Sequence, residues 1–203
     1  MKRLSDKERT AIAIAVSGVM GVLLSYGIMA IRNSGDTNNE GIKPATQVEA
    51  VKYTETETVD VISMNVPAGD TSFKSYMDWQ CITNTRSEQY KMQTTAYTDK
   101  NGLRRFKNGD YMVAMGSYYG EVGDRFRITF EHGGVVDCVM GDSKADIHTD
   151  TANQYTDMGD GMKNVVEFIV DTSELPDMAR KMGDVSYADD KLWGDVKKVE
   201  KMK

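Results

Sequence analysis

The chain has 203 residues, 25 lysines and arginines against 31 acids, and a formal net charge of −6. Phosphate binding wants a basic patch, and here the cations are scattered among carboxylates, which argues against nucleic acid as a partner. Two cysteines, Cys81 and Cys138, allow one bridge at most and exclude a disulfide-held scaffold.

Residues 1–10 form a basic segment with Lys2, Arg3, Lys7 and Arg9. Ala11 to Ile31 follows as 21 residues without a charge. At about 1.5 Å per residue such a run spans roughly the 30 Å of a bilayer's hydrocarbon core. A secretory signal has a shorter apolar region, roughly 7–15 residues, and a small-x-small cleavage site, which Met29 to Asn33 does not supply. The sequence therefore predicts an uncleaved single-pass anchor, with a cleaved signal as the alternative. The basic residues before it predict a cytoplasmic N-terminus and an extracytoplasmic remainder.

Residues 32–70 are polar, rich in Thr, Glu, Asn and Gly, and read as an extended tether. Val59, Val61 and Met64 leave room for one short strand. Residues 71–176 change to β-type runs punctuated by glycine. Strands are predicted at Tyr90 to Tyr97, Tyr111 to Met115, Arg125 to Phe130, Val135 to Met140 and Val165 to Val170. Arg125 to Phe130 alternates polar and apolar, as a strand with one wet face does. Glu131, His132, Gly133 and Gly134 predict a hairpin turn with both glycines at positive φ. Asn101-Gly102 and Asn108-Gly109 predict further turns. Many short strands at this spacing predict a closed β-barrel. Residues 177–203 predict a charged tail, helical at Met178 to Met182 and weakly helical or frayed from Lys191 onward.

The densest polar constellation is Gly141 to Asp150, directly after the apolar strand ending at Met140. It offers Asp142, Lys144, Asp146, His148 and Asp150 on what reads as a loop, either a site held by a rigid scaffold or a solvated run of turns. Asp142 is the candidate supporting acid, and Lys144, Asp146, His148 and Asp150 are candidate substrate contacts. Glu167 interrupts the apolar strand Val165 to Val170 and shares a face with Ile169. A carboxyl in such company has its pKa raised by desolvation, the condition for a general acid at neutral pH. The competing reading is an edge charge that discourages aggregation. Asp142, Asp146, His148 and Asp150 also carry a metal alternative, although their spacing fits no standard loop. Cys138 with His148 offers a nucleophile, but Cys138 lies mid-strand in a valine-rich run, where an inert thiol is expected. Trp79, Tyr76, Tyr118 and Tyr119 serve either as core or as sugar-stacking rings. No cofactor is expected.

Thr95-Ala96-Tyr97, Val113-Ala114-Met115, Val122-Gly123-Asp124, Asp142 after Val139-Met140-Gly141, and Glu167 near the end occur in an order that resembles the three-aspartate domain of exported Gram-positive proteins. That domain is related to the catalytic barrel of the membrane-bound lytic transglycosylase A family. The likeness covers about 80 residues, Thr94 to Asp171, with Asp142 and Glu167 at the second and third acids. Gly116 and Ser117 stand where the first aspartate and its proline would be, Ser143-Lys144-Ala145 replaces Thr-Gly-Gly, and the stretch between Asp142 and Glu167 is longer. The resemblance implies a six-stranded double-psi β-barrel whose groove acts on the glycan strands of peptidoglycan. It implies Glu167 as acid and base with Asp142 in support, or an inactive barrel serving as a glycan- or protein-binding module of an envelope or mobile-element complex.

Overall fold

The structure is a computed structural model, and it describes residues 60–203. The basic segment, the apolar run 11–31 and the tether up to residue 59 lie outside the described residues. Among the described residues no helix is long and apolar enough to cross a membrane.

The fold is mainly β. Its strands are β1 (Val61–Met64), β2 (Tyr76–Asp78), β3 (Tyr97–Thr98), β4 (Arg104–Arg105), β5 (Tyr111–Met115), β6 (Arg125–Phe130), β7 (Val135–Ser143), β8 (Thr156–Asp157), β9 (Lys163–Asn164), β10 (Val166–Val170) and β11 (Val196–Met202). Two short helices accompany them, α1 (Glu88–Thr95) and α2 (Asp177–Met182). Nine strands share one mixed sheet in the order β1-β11-β6-β7-β5-β10-β2, with β4 beside β5 and β3 beside β4, while β8 and β9 pair separately. The β5–β7 and β10–β2 pairs are parallel, and every other pair is antiparallel.

Several expectations need correction. The predicted six-stranded closure is replaced by a nine-stranded sheet whose path ends at β1 and β2, with no ladder joining those two among the described residues. Tyr90 to Tyr97 is helical up to Thr95. Ser87 caps that helix by accepting the Tyr90 N–H at 3.1 Å, and Glu88, Gln89, Lys91, Met92 and Gln93 are good helix formers. The end of the charged tail is no helix either: Val196–Met202 is a strand between β1 and β6. The tether's last residues also belong to the fold, because β1 pairs with β11 from Val61 to Met64.

The hairpin of β6 and β7 forms as expected, with Phe130 N–H donating to the Gly134 carbonyl at 3.1 Å. Its glycines serve another purpose than the one predicted. Neither takes a left-handed φ. A Cβ on Gly133 would overlap the Lys191 carbonyl, so the turn is bare in order to let residues 191–193 pack against it.

Alternation along β5, β7 and β10 divides the sheet into two faces. Tyr111, Val113 and Met115 share one face with Cys138, Met140, Phe168 and Val170, and join Phe126, Ile128, Leu192 and Val199 in the main core. Met112, Val139 and Ile169 point the other way, under Trp79, Ile82, Met92 and Phe106. Fully burying side chains of this size contributes roughly 1.5–3 kcal/mol each. The second face is where α1 and the acids meet.

Candidate functional site

The site begins with an irregularity in β7. Val113 pairs with Met140, but the next residue, Ala114, pairs with Asp142, so Gly141 is the extra residue of a bulge. A side chain at Gly141 would press on Met112 Cε at 2.8 Å and Ile169 Cδ1 at 2.9 Å, so the ends of those two side chains would have to shift to admit it. On the opposite edge of β5, Ala114 pairs with Glu167. Asp142 and Glu167, 25 positions apart in sequence, thus flank the same residue. Strand spacing puts their backbones about 10 Å apart.

The two acids have different surroundings. Burial pushes the Asp142 carboxyl above its ordinary value, against the lowering effect of the Ser143 N–H, at 2.9 Å, and a side-chain hydrogen bond from Gln89 of α1. Glu167 accepts the Ser75 hydroxyl at 2.9 Å and lies in the field of the Lys144 ammonium. Lys144 is buried, 8 % exposed. Burial pulls its ammonium down to about 8, with the Glu167 charge acting in the opposite direction. Its Nζ donates to the Asn164 carbonyl at 2.6 Å, and the Asn164 side chain lies 2.5 Å from Ser75 Oγ. A polar chain therefore runs from Lys144 through Asn164 and Ser75 to Glu167.

The remaining loop candidates are engaged in building the loop. Asp150 accepts N–H bonds from Ala152, Gln154 and Tyr155 at 2.6–3.1 Å, and these outweigh its burial and hold its carboxyl below the ordinary value. Asp146 accepts the Ser117 hydroxyl at 2.8 Å. His148 ends an exposed 3₁₀ turn over Asp146–His148. Among the described residues no group of three or more His, Cys, Asp or Glu could hold a metal ion. Cys81 and Cys138 are both free, and Cys138 is buried in the core with its thiol pushed well up by burial.

The structure thus brings together Asp142, Glu167 and Lys144 from the sequence candidates, and adds Ser75, Gln89 and Asn164. Ser75 carries no local motif and reaches Glu167 only because β2 lies parallel to β10. Gln89 was hidden by reading α1 as a strand. Of the aromatics, Tyr119 is core at 1 % exposed and Trp79 packs on the second face beneath the Arg104 guanidinium, 4.9 Å from its ring. Ala114, between the acids, is 2 % exposed, and the two carboxyl residues are half-buried on either side of it. No family model, no curated protein and no solved structure matches the chain.

Proposed function

We propose that the chain is a membrane-anchored envelope protein, held by residues 11–31, whose folded unit acts on the glycan strands of peptidoglycan. The observation that carries this reading is the placement of Asp142 and Glu167 on either side of Ala114, one raised by burial and the other facing a lysine. These are the two acids that the three-aspartate resemblance pairs. Their roles exchange relative to the sequence expectation, because Asp142 is the carboxyl that burial favours as the protonated form.

In a lytic transglycosylase mechanism Asp142 gives its proton to the glycosidic oxygen as the bond to the sugar's C1 breaks. The carboxylate left behind then takes the proton of the same sugar's C6 hydroxyl as that oxygen bonds to C1, giving the anhydro product. No second carboxylate is needed to activate water, unlike hydrolysis by an acid and base pair. Glu167, held by Ser75, faces the positive charge that develops on the ring.

Incubation of the full chain with purified peptidoglycan and mass analysis of the soluble fraction tests this. Anhydro-muropeptides released by the native chain and absent with Asp142→Asn support it, and equal release by that variant overturns the assignment. The second reading is a non-catalytic glycan-binding module, favoured by the covered Ala114 and by glycine at position 116. Retention on peptidoglycan without fragment release is its signature.

A further inference from the structure

Lys144 and Asn164 are a polar pair to which the proposed cleavage gives no task. Both are buried, at 8 % and 2 % exposure. Lys144 follows the end of β7, where its N–H donates to the Met115 carbonyl at 2.9 Å, and Asn164 lies on β9 opposite Thr156. Lys144 Nζ is held by the Asn164 backbone carbonyl at 2.6 Å and by Thr156 Oγ1 at 3.4 Å.

One orientation of the Asn164 side-chain amide gives all its polar atoms a partner. Its nitrogen then donates to the Val166 carbonyl at 2.8 Å, and its oxygen accepts the Ser75 hydroxyl at 2.5 Å and Lys144 Nζ at 3.2 Å. The amine thus lies against the carbonyl of a primary amide. Ser75 Oγ is also 2.9 Å from Glu167 Oε1, so a proton on that carboxyl has a path through the hydroxyl to the amide oxygen. Nucleophile, acyl group and acid, the three parts that transamidation needs, are in mutual contact.

We propose that Lys144 and Asn164 become joined by an isopeptide bond after the chain folds. Lys144 Nζ, as the neutral amine, attacks Asn164 Cγ while Glu167 passes a proton through Ser75 to the amide oxygen. The attacking nitrogen then gives one of its protons to Nδ2, the Cγ–Nδ2 bond breaks and ammonia leaves. The carbonyl re-forms and its proton returns to Glu167, which ends as it began. Burial draws the Lys144 ammonium down to about 8, against the opposing charge of Glu167, and so brings the neutral amine within reach. Holding amine and amide together removes the entropic barrier to their meeting, and burial keeps water from competing for Cγ. The bond ties the end of β7 to β9 at the base of the loop 145–163, a cross-link that stabilises by restricting the unfolded chain. A freshly folded chain carries the free amine with its own titration, and an aged one carries the bond. This inference does not rest on the glycan reading.

The test is tandem mass spectrometry of the full chain, folded, aged at neutral pH, then denatured and digested. A peptide holding Lys144 joined to one holding Asn164, lighter than their sum by one ammonia, is expected. Lys144→Arg and Asn164→Ala should lack it, and Glu167→Gln should form it at least tenfold more slowly. Ammonia lost by ring closure at Asn101-Gly102 or Asn108-Gly109 joins no second peptide and is thereby told apart. An aged native chain that yields only separate Lys144 and Asn164 peptides overturns the proposal whatever the variants do, and so does a Glu167→Gln chain that links as fast as the native one.

Discussion

The carbonyl of Asn153 occupies the space that a side chain at position 116 would need. Asn153 itself adopts a left-handed φ of 55°, and its carbonyl also accepts the Tyr118 N–H at 3.3 Å. The loop between Asp142 and Glu167 therefore rests on the bare backbone at Gly116.

Gly116→Ala is therefore expected to displace the Asn153 turn and destabilise the folded unit by about 1–3 kcal/mol, the range for overpacking a closed site. A lowered urea midpoint with unchanged slope is the readout. A neutral effect would show that the loop does not rest on Gly116.

Asp142→Asn separates chemistry from stability. On the proposed mechanism, release of anhydro-muropeptides is expected to drop by roughly 10²–10⁴, the usual worth of a general acid. Stability should move the other way. A carboxyl raised by folding is penalised when ionised, so native stability falls as pH climbs from the unfolded value, about 3.8, through the raised folded one. The asparagine variant loses that fall and should equal or exceed the native chain in urea at pH 7.

Lys144 gives the opposite slope. Its folded value of about 8 lies below the ordinary 10.5, so the unfolded chain holds the extra proton between those limits and native stability rises with pH across them. The relative gain is about 3 kcal/mol. Lys144→Met should abolish this difference, measured as the native-minus-variant unfolding free energy at pH 7.5 and pH 10.

The cysteines should differ in reactivity. Cys81 is exposed and Cys138 is fully buried with a raised thiol, so iodoacetamide at neutral pH should add one group to the native chain and two after denaturation. Mass spectrometry counts them, and two rapid additions to the native chain would mean the core around Cys138 opens.

The β6–β7 hairpin was legible because its strands declare themselves within a dozen residues, by alternation at Arg125 to Phe130 and by an apolar run after Gly134. Glu167 was legible as an acid on an apolar strand, whereas Asp142, read as lying on a loop after Met140, belongs to β7, which runs on to Ser143. Their meeting was not legible, because it needs the Gly141 bulge, which shifts Asp142 opposite Ala114 and leaves no mark that a turn glycine would not also leave. β11 was missed for a related reason. Val196 and Val199 are both core residues three positions apart, a helical spacing, and a register shift between Val196 and Lys198 lets a strand present both. α1 was missed because Tyr90, Thr94 and Thr95 outweighed a serine cap that only the Tyr90 N–H reveals.

Because β11 lies between β1 and β6, it is the one strand through which β1, first in the chain among the described strands, joins the rest of the sheet. The seven residues of β11 are thus the seam that joins the two parts of the sheet. With β11 removed, β1 and the outer edge of β6 each present a row of unpaired backbone groups, the kind of edge on which other chains pair.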